Sequence, residues 1–399
     1  MDAPEGAGAI AGIAGPNAGA EAPSVALSRL RLAEFRNYAA LEVALSPGFV
    51  VLAGENGAGK TNFLEAISLL TPGRGLRRAA YGEILREGAA GFSVGARLHS
   101  RGEVLDLLTI ARSEPGGSPG AGLTRSVRIN QTQARSAEEL LDHLRILWLT
   151  PAMDGLFTGP AGDRRRFLDR LVLAVDPAHG RRAADYERAM RSRNRLLQDG
   201  RDDDSWLSGL EMQMAELGVA IASARAELVR LMAAMIDEAG TDAPFPQGDL
   251  ELSSGYGFGE PVGPAVDLED EARARLARQR GLDRSAGRTL EGPHRADLAV
   301  THRAKNMPAA LSSTGEQKAL LIGLILAHAR LVSAVSGLAP LLLLDEVAAH
   351  LDPRRRAGLF DIVESLGVQC FMTGTDASLF EALGARAQML PVAGGRIAA

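Results

Sequence analysis

The chain of 399 residues is long enough for a large core and two lobes, and its 46% hydrophobic and 23% charged residues are those of an ordinary soluble protein. A net charge of −5 excludes bulk attraction to nucleic acid, so any DNA contact has to come from local basic patches. One cysteine, Cys370, excludes an intramolecular disulfide, too few Cys and His cluster to suggest a zinc site, and no uncharged apolar run of membrane-spanning length occurs.

Residues 1–23 are rich in Ala, Gly and Pro without aromatic residues or periodicity, which predicts a disordered tail. They lack the basic start and long apolar run of a signal peptide. Residues 24–160 read as the first half of an α/β nucleotide-binding head. The segment 27–32 alternates apolar and polar residues, as a half-buried strand does, and 41–45 reads as its partner. Between them, Phe35-Arg36-Asn37-Tyr38 is a turn whose Arg36 and Asn37 either contact nucleotide or form a solvated hairpin end.

The apolar strand 49–53 then runs into Gly54-Glu55-Asn56-Gly57-Ala58-Gly59-Lys60-Thr61, with a helix pattern over 62–70. This is the phosphate-binding loop, G-x-x-x-x-G-K-[ST], in its required strand–loop–helix setting. Glycines let successive backbone N–H groups turn inward around a phosphate, and the following helix presents its positive end to the same anion. Lys60 is expected to reach the β- and γ-phosphates of ATP, and the Thr61 hydroxyl to ligate Mg²⁺. Strand-like runs at 92–98, 104–111 and 126–129, with a loose hairpin loop over 115–122, predict an antiparallel sheet laid against this core. Residues 136–144 read as a helix and 145–149 as another buried strand.

Residues 161–287 read as a helical lobe inserted into the head. Helix spacing runs over 162–175, 181–198 and 205–239, with Gly218 a candidate interruption of the third; 241–264 is turn-rich, and 268–280 returns to helix. From Arg164 to Arg201 eleven arginines stand against five acids, and over 270–305 nine basic residues stand against five. In a chain of negative net charge these are the candidate phosphate-contact surfaces. Arg181, Arg188 and Arg195 are seven apart and share one helix face; the alternative is a solvated surface with internal ion pairs.

Residues 288–399 return to nucleotide-site sequence, as the second half of the head. Ser313-Thr314-Gly315-Glu316-Gln317-Lys318 precedes an apolar helix and offers an anion-binding helix end, or simply a capping box of Ser313 with Glu316. Leu341-Leu342-Leu343-Leu344-Asp345-Glu346 describes a buried strand that delivers carboxylates at its C-terminal end, where ligands sit in open α/β sheets. Asp345 is expected to hold Mg²⁺, and Glu346 to polarise the attacking water. Only three of the 44 basic residues are lysines: Lys60, Lys305 and Lys318. Two fall in these motifs, while Lys305 has no role legible in the sequence.

The order of phosphate loop, Ser313–Lys318 signature, carboxylate strand and His350-Leu351-Asp352 resembles the ATP-binding-cassette (ABC) ATPases, and within them the SMC-like branch with a split head. The 252 positions from Thr61 to Ser313 (313 minus 61) are too few for SMC coiled coil. Phe35-Arg36-Asn37-Tyr38, the phosphate loop with Asn62, Arg164-Arg165-Arg166-Phe167-Leu168-Asp169, Gly292-Pro293-His294-Arg295, Ser313 to Lys318, and Thr373-Gly374-Thr375-Asp376 resemble, in order, the RecF family of bacterial recombination mediators. The resemblance implies an ABC-type ATPase head (P-loop sheet plus antiparallel β subdomain) with an inserted helical second lobe, acting in the cytoplasm with ATP and Mg²⁺. It implies an ATP-dependent homodimer in which Lys60 and Thr61 of one subunit bind the nucleotide while Ser313 and Gly315 of the other cap it. The dimer is expected to clamp duplex, gapped or junction DNA, with RecR and RecO as partners, and to serve RecA loading.

Four departures stand out. Pro151-Ala152-Met153-Asp154 replaces the family's usual P-E-D-L, no Mg²⁺-sensing Gln stands nearby, Thr375 takes the place of the switch histidine, and Ala296 follows G-P-H-R where Asp is usual. Three of them count against fast hydrolysis more than against ATP binding and favour a slow switch; the expected activity is weak, DNA-stimulated ATP hydrolysis, with no nuclease or helicase chemistry. Competing readings are an enzyme acting covalently on DNA, for which no second carboxylate or His cluster is found, and the ATPase subunit of a transporter or other SMC-like complex, against which the arginine-rich lobe argues.

Overall fold

A computed structural model of the chain describes residues 24–113, 122–199, 204–240 and 243–397. The tail expected over 1–23 lies outside them, as does nearly all of the loop expected over 115–122.

The chain starts as an antiparallel pair, β1 (Val25–Phe35) and β2 (Tyr38–Ala44), which turns at Arg36 and Asn37. β3 (Phe49–Ala53) leaves that sheet and leads through the glycine-rich loop into α1 (Lys60–Ser68). After the short α2 (Tyr81–Ile84), β4 (Gly91–Ser100), β5 (Glu103–Arg112), β6 (Thr124–Ile129) and β7 (Thr132–Gln133) complete the antiparallel sheet in the order β2-β1-β4-β5-β6-β7. β8 (Ile146–Leu149) joins the second sheet. Next come α3 (Ala161–Val175), α4 (His179–Gln198), α5 (Asp204–Glu238), β9 (Gly248–Ser253), α6 (Ala265–Arg278) and α7 (Arg280–Ala286). β10 (Asp297–His302) and β11 (Met307–Pro308) lead to α8 (Thr314–Ser336). β12 (Leu341–Leu344), α9 (Pro353–Ser365), β13 (Cys370–Gly374), β14 (Ala387–Ala393) and β15 (Arg396–Ile397) finish the chain.

The second sheet runs β15-β14-β3-β13-β12-β8, and its strands from β14 to β8 are parallel. Both of its faces are covered. Val51, Leu149, Leu342 and Leu344 pack with α3, α5, α8 and α9, while Val50, Leu52, Leu341 and Leu343 pack with α1 and the antiparallel sheet. A strand buried on both sides has no polar face, which is why 341–344 is four consecutive leucines. The same burial explains α8. It is the one helix among the described residues long and apolar enough to cross a membrane by length and composition, yet 67% of its most apolar window is buried inside the protein.

Three local expectations are revised. Residues 137–142 form a 3₁₀ turn rather than the α-helix expected over 136–144, since one short segment cannot offset helix nucleation without a partner along its length. The stretch expected to be turn-rich holds β9, which exists through distant pairing with β10, in the register Leu250↔Val300 and Leu252↔Leu298. Finally, α5 runs unbroken through Gly218. That glycine is an allowance for packing: a Cβ there would lie 2.1 Å from the Tyr256 hydroxyl oxygen and 3.1 Å from the Tyr186 ring.

Buried polar ties hold these layers together. Arg193 on α4 is fully buried and bonds Glu211 on α5 (3.0 Å), Asp283 on α7 (2.7 Å), Thr289 and the Leu276 carbonyl. The side chain is satisfied on all sides, as a buried cation has to be. Between the two sheets, the buried Gln369 accepts from the Leu27 N–H (2.7 Å) and donates to the Leu27 and Ser46 carbonyls (2.9 and 2.8 Å). Replacing it with leucine strands these backbone groups, and the loss exceeds what one buried side chain regains. Gln369→Leu should therefore lower unfolding free energy by about 2 kcal/mol, read as a shifted denaturant midpoint with an unchanged slope; an unshifted midpoint would show that the tie is dispensable.

Candidate nucleotide site and basic surface

β3 and β12 are separated in the sheet by β13 alone, so their C-terminal ends place the glycine loop and the two acids side by side. Gly59 caps α1 at φ 118°, a conformation that side chains disfavour. Lys60 is buried, and its Nζ donates to the Gly54 and Glu55 carbonyls (2.6 and 2.9 Å). The Thr61 hydroxyl lies 3.0 and 3.1 Å from the two carboxylate oxygens of Asp345. The sequence separates these two residues by 284 positions, and the sheet joins them.

A residue without a motif role completes the cluster. Thr373 on β13 donates to Asp345 Oδ1 (2.8 Å), and its oxygen accepts from the Glu346 N–H (2.8 Å). Glu346 has φ 55°, strained for a side chain other than glycine, and this bond helps hold it. Burial pushes the Asp345 carboxyl above the ordinary range, while hydrogen bonds from Thr373 and Thr61 pull it back. Thr373 was legible only as part of Thr373-Gly374-Thr375-Asp376, whose individual roles the sequence does not assign.

The Phe35–Tyr38 turn stands behind the loop and braces it. Asn37 Nδ2 donates to the Ala58 carbonyl (3.1 Å), Asn62 Nδ2 donates to Asn37 Oδ1 (2.8 Å), and the Tyr38 hydroxyl donates to the Gly59 carbonyl (3.1 Å). Arg36 is directed elsewhere. Its guanidinium pairs with Glu65 (2.9 and 2.8 Å) and donates to the Glu83 carbonyl (2.6 Å). The reason is the full burial of Glu65 on α1, which draws in both Arg36 and Arg77 (3.0 Å) as counter-charges.

Among the described residues, no hydrogen bond joins Ser313 or Gly315 to this cluster. Ser313 forms a complete capping box with Glu316 at the start of α8, and residues 313–315 are exposed. Exposed Leu311 lies just before them. Lys318, one turn further, is buried and reaches Asp154 (3.2 Å) in the turn after β8, where the sequence departs from P-E-D-L.

The arginine surplus divides into two sets. Arg164 pairs with Asp297 (2.8 Å), Arg165 donates to the Ala296 carbonyl (2.7 Å), Arg170 lies over the Trp148 ring (4.6 Å), and Arg182 pairs with Asp176 (2.8 Å). With Arg193 buried, these arginines build the structure. Arg181, Arg188 and Arg195 are exposed along α4, although Asp185 partly offsets the first two. Arg191 continues the same stripe. Its i+3 spacing from Arg188 was the signal that a strict seven-residue reading passed over. A second group of arginines was missed altogether: Arg74, Arg77 and Arg78 line, together with Asp163 and Asp169, an open cleft of ≈ 1270 Å³ that also contains Thr61, Asp345 and Glu346.

A phosphate loop and a carboxylate strand in one parallel sheet, an antiparallel sheet at its side and a separate signature helix define an ATPase head of the ABC/SMC class. The family model for the RecF/RecN/SMC N terminal domain matches residues 26–396. The DNA replication and repair protein RecF of Rhizobium etli is 61% identical over 378 residues, covering 94% of this chain and 98% of that protein. Its counterpart in Mesorhizobium japonicum is 60% identical over 375 residues, covering 93% and 97%. Among solved structures, the recombination mediator protein RecF-ATP of the RecFOR pathway superposes with a TM-score of 0.80 at 23% identity, covering 94% of this chain and 99% of that one. The Pyrococcus furiosus Smc head domain gives 0.51 at 15%, covering 94% and 95%. The chain belongs to the RecF family of DNA replication and repair proteins.

The bracing turn predicts a measurable effect on nucleotide binding. Asn37→Ala removes two hydrogen bonds that position the loop, and each is worth about 1 kcal/mol. ATP affinity should fall by about tenfold while the unfolding midpoint stays near wild type, read by fluorescent-nucleotide titration beside thermal melting. Wild-type affinity in the variant would remove Asn37 from the site.

Proposed function

We propose that this protein is an ATP-gated DNA clamp: an ATPase head that dimerises around nucleotide and thereby presents two arginine stripes to one duplex. The supporting observation is the split of the site. Lys60, Thr61 and Asp345 are gathered in one place, whereas Ser313 and Gly315 face solvent at the start of α8 and bond none of them. A second copy supplies the missing cap when its Ser313–Gly315 end meets the γ-phosphate held by the first. ATP then joins the subunits, and hydrolysis removes the phosphate that joins them. In this reading residues 161–287 form the inserted lobe, flanked by head halves at 24–160 and 288–399.

The backbone N–H groups of residues 54–61 cradle the triphosphate, Lys60 swings from its carbonyl partners to the β- and γ-phosphates, and Asn37 keeps the loop in shape. A hydroxyl and a carboxylate at hydrogen-bond distance, from Thr61 and Asp345, are an oxygen donor pair that fits Mg²⁺ and would hold it. Bound there, the ion would supply neutralisation of phosphate charge. Glu346 orients the water that attacks the γ-phosphorus. The absent glutamine and switch histidine favour slow turnover, a switch rather than a motor.

Phosphate contacts by Arg181, Arg188, Arg191 and Arg195 give affinity without base readout and a steep salt dependence. Membership in the RecF family supports intracellular work on gapped or junction DNA, with RecO and RecR as partners and RecA loading as the outcome.

Two experiments test this. Light scattering with ATP, with ADP and without nucleotide should show dimers only with ATP; Lys60→Ala and Ser313→Ala should remain monomeric, and Glu346→Gln should stay dimeric for longer than wild type. A wild-type protein that remains monomeric with ATP and duplex DNA would sink the clamp. Separately, Arg188→Glu with Arg195→Glu should weaken duplex binding and reduce the slope of log affinity against log salt by about 2, with dimerisation unchanged. An unchanged slope would move the DNA contact away from α4.

A further inference from the structure

Lys305 carried no role in the sequence, and it is one of only three lysines in the chain. Its ammonium contacts Oε1 of Glu316, the capping-box residue in the first turn of α8. The other carboxylate oxygen, Oε2, accepts from both the Ser313 N–H (3.1 Å) and the Ser313 hydroxyl (3.0 Å). One carboxylate is thus shared between a lysine and the signature serine. The lysine is also well placed by its own backbone. It ends a single 3₁₀ turn, Arg303–Lys305, whose Arg303 is anchored to Asp237 (2.7 Å), Asp249 (2.7 Å) and Gln247 (3.0 Å). Asn306 then closes the turn at φ 46°.

A serine hydroxyl has one hydrogen. While that hydrogen lies on Glu316 Oε2 it is not available to a phosphoryl oxygen, and the Glu316 charge repels a triphosphate approaching the same helix end. The two requirements conflict: a carboxylate in the first turn stabilises the helix start, and an anion-accepting helix start tolerates no free negative charge. Lys305 resolves the conflict by neutralising Glu316 from the side away from Ser313, and the pairing holds the Glu316 carboxyl low, to about 2.

We propose that Lys305 is a positioning residue for the nucleotide cap: by pairing with Glu316 it lets Ser313 and the N-terminus of α8 accept the triphosphate held by a second copy of this chain. The inference rests on the shared-site reading above. Lys305 and Glu316 are both partly exposed, and pairs of that kind add little to folding stability. A merely structural pair would therefore leave dimerisation unmoved when it is removed.

The test is a charge cycle read on dimerisation by sedimentation velocity with ATP and Mg²⁺, using the full chain. Lys305→Ala should weaken the ATP-dependent dimer about tenfold, an effect that shrinks at high salt. Lys305→Arg should keep most of the affinity. In the Glu316→Gln background, Lys305→Ala should cost less than about twofold, because the charge it neutralises is gone. ATP binding to the monomer, measured below the dimerisation range, should be unaffected by Lys305→Ala. An undiminished dimer in Lys305→Ala, or the same loss with and without Glu316→Gln, would overturn the role given to Lys305 while leaving the clamp intact. A wild-type chain that never dimerises with ATP would overturn both.

Discussion

The rest of the structure depends on one constraint, the burial of the central parallel sheet on both faces. Strands such as Leu341–Leu344 can carry no polar residue along their length, so polar chemistry is confined to their ends. Because the strands are parallel, those ends share one edge. Thr61 after β3, Thr373 on β13 and Asp345 after β12 come from distant parts of the chain and meet there within single hydrogen bonds. The strand order matters as much as the direction. With β13 between β3 and β12, the Thr373 hydroxyl bridges the Asp345 carboxylate and the Glu346 backbone.

The nucleotide half of this arrangement was legible in the sequence because it is local. A strand, a glycine loop and a helix are contiguous, and the loop's spacing follows from the geometry of a phosphate. The carboxylate strand was legible for a similar reason: four leucines ending in two acids have few other uses. What escaped were interactions made by pairing across the fold. β9 has no strong pattern of its own and is ordered by β10. Gly218 looked like a helix breaker because the tyrosines that require its missing side chain are remote in sequence. Arg36 was legible only as either a nucleotide contact or a solvated hairpin end, because nothing local reveals that Glu65, four residues beyond Thr61, would be fully buried and in need of a partner.

The arginine surplus shows the same limit in electrostatic terms. Counted along the chain, eleven arginines against five acids suggest a broad basic surface. In space, Arg164, Arg165, Arg170, Arg182 and Arg193 are consumed by carboxylates, carbonyls and an aromatic ring. Among the described residues, Arg181, Arg188, Arg191 and Arg195 stay exposed on α4 and Arg166 on α3 beside Asp163, and the first residues of α4 also line the cleft that holds Arg74, Arg77 and Arg78. A net charge of −5 and a local phosphate-binding face are thus compatible, because attraction at the distance of a contact is governed by the few charges that reach solvent.

The lysines complete the argument. Guanidinium groups, planar and permanently charged, suit the fixed pairs that hold lobe to head, whereas an ammonium on a flexible stem can exchange partners. In this chain arginine makes most of the ion pairs among the described residues, and lysine makes Lys305–Glu316 and the buried Lys318–Asp154 pair. Lys60 rests on two loop carbonyls, Lys318 ties the signature helix to the turn after β8, and Lys305 holds the carboxylate that in turn holds Ser313. Lys60 follows the glycine loop, Lys318 lies on α8, and Lys305 pairs with the first turn of that helix.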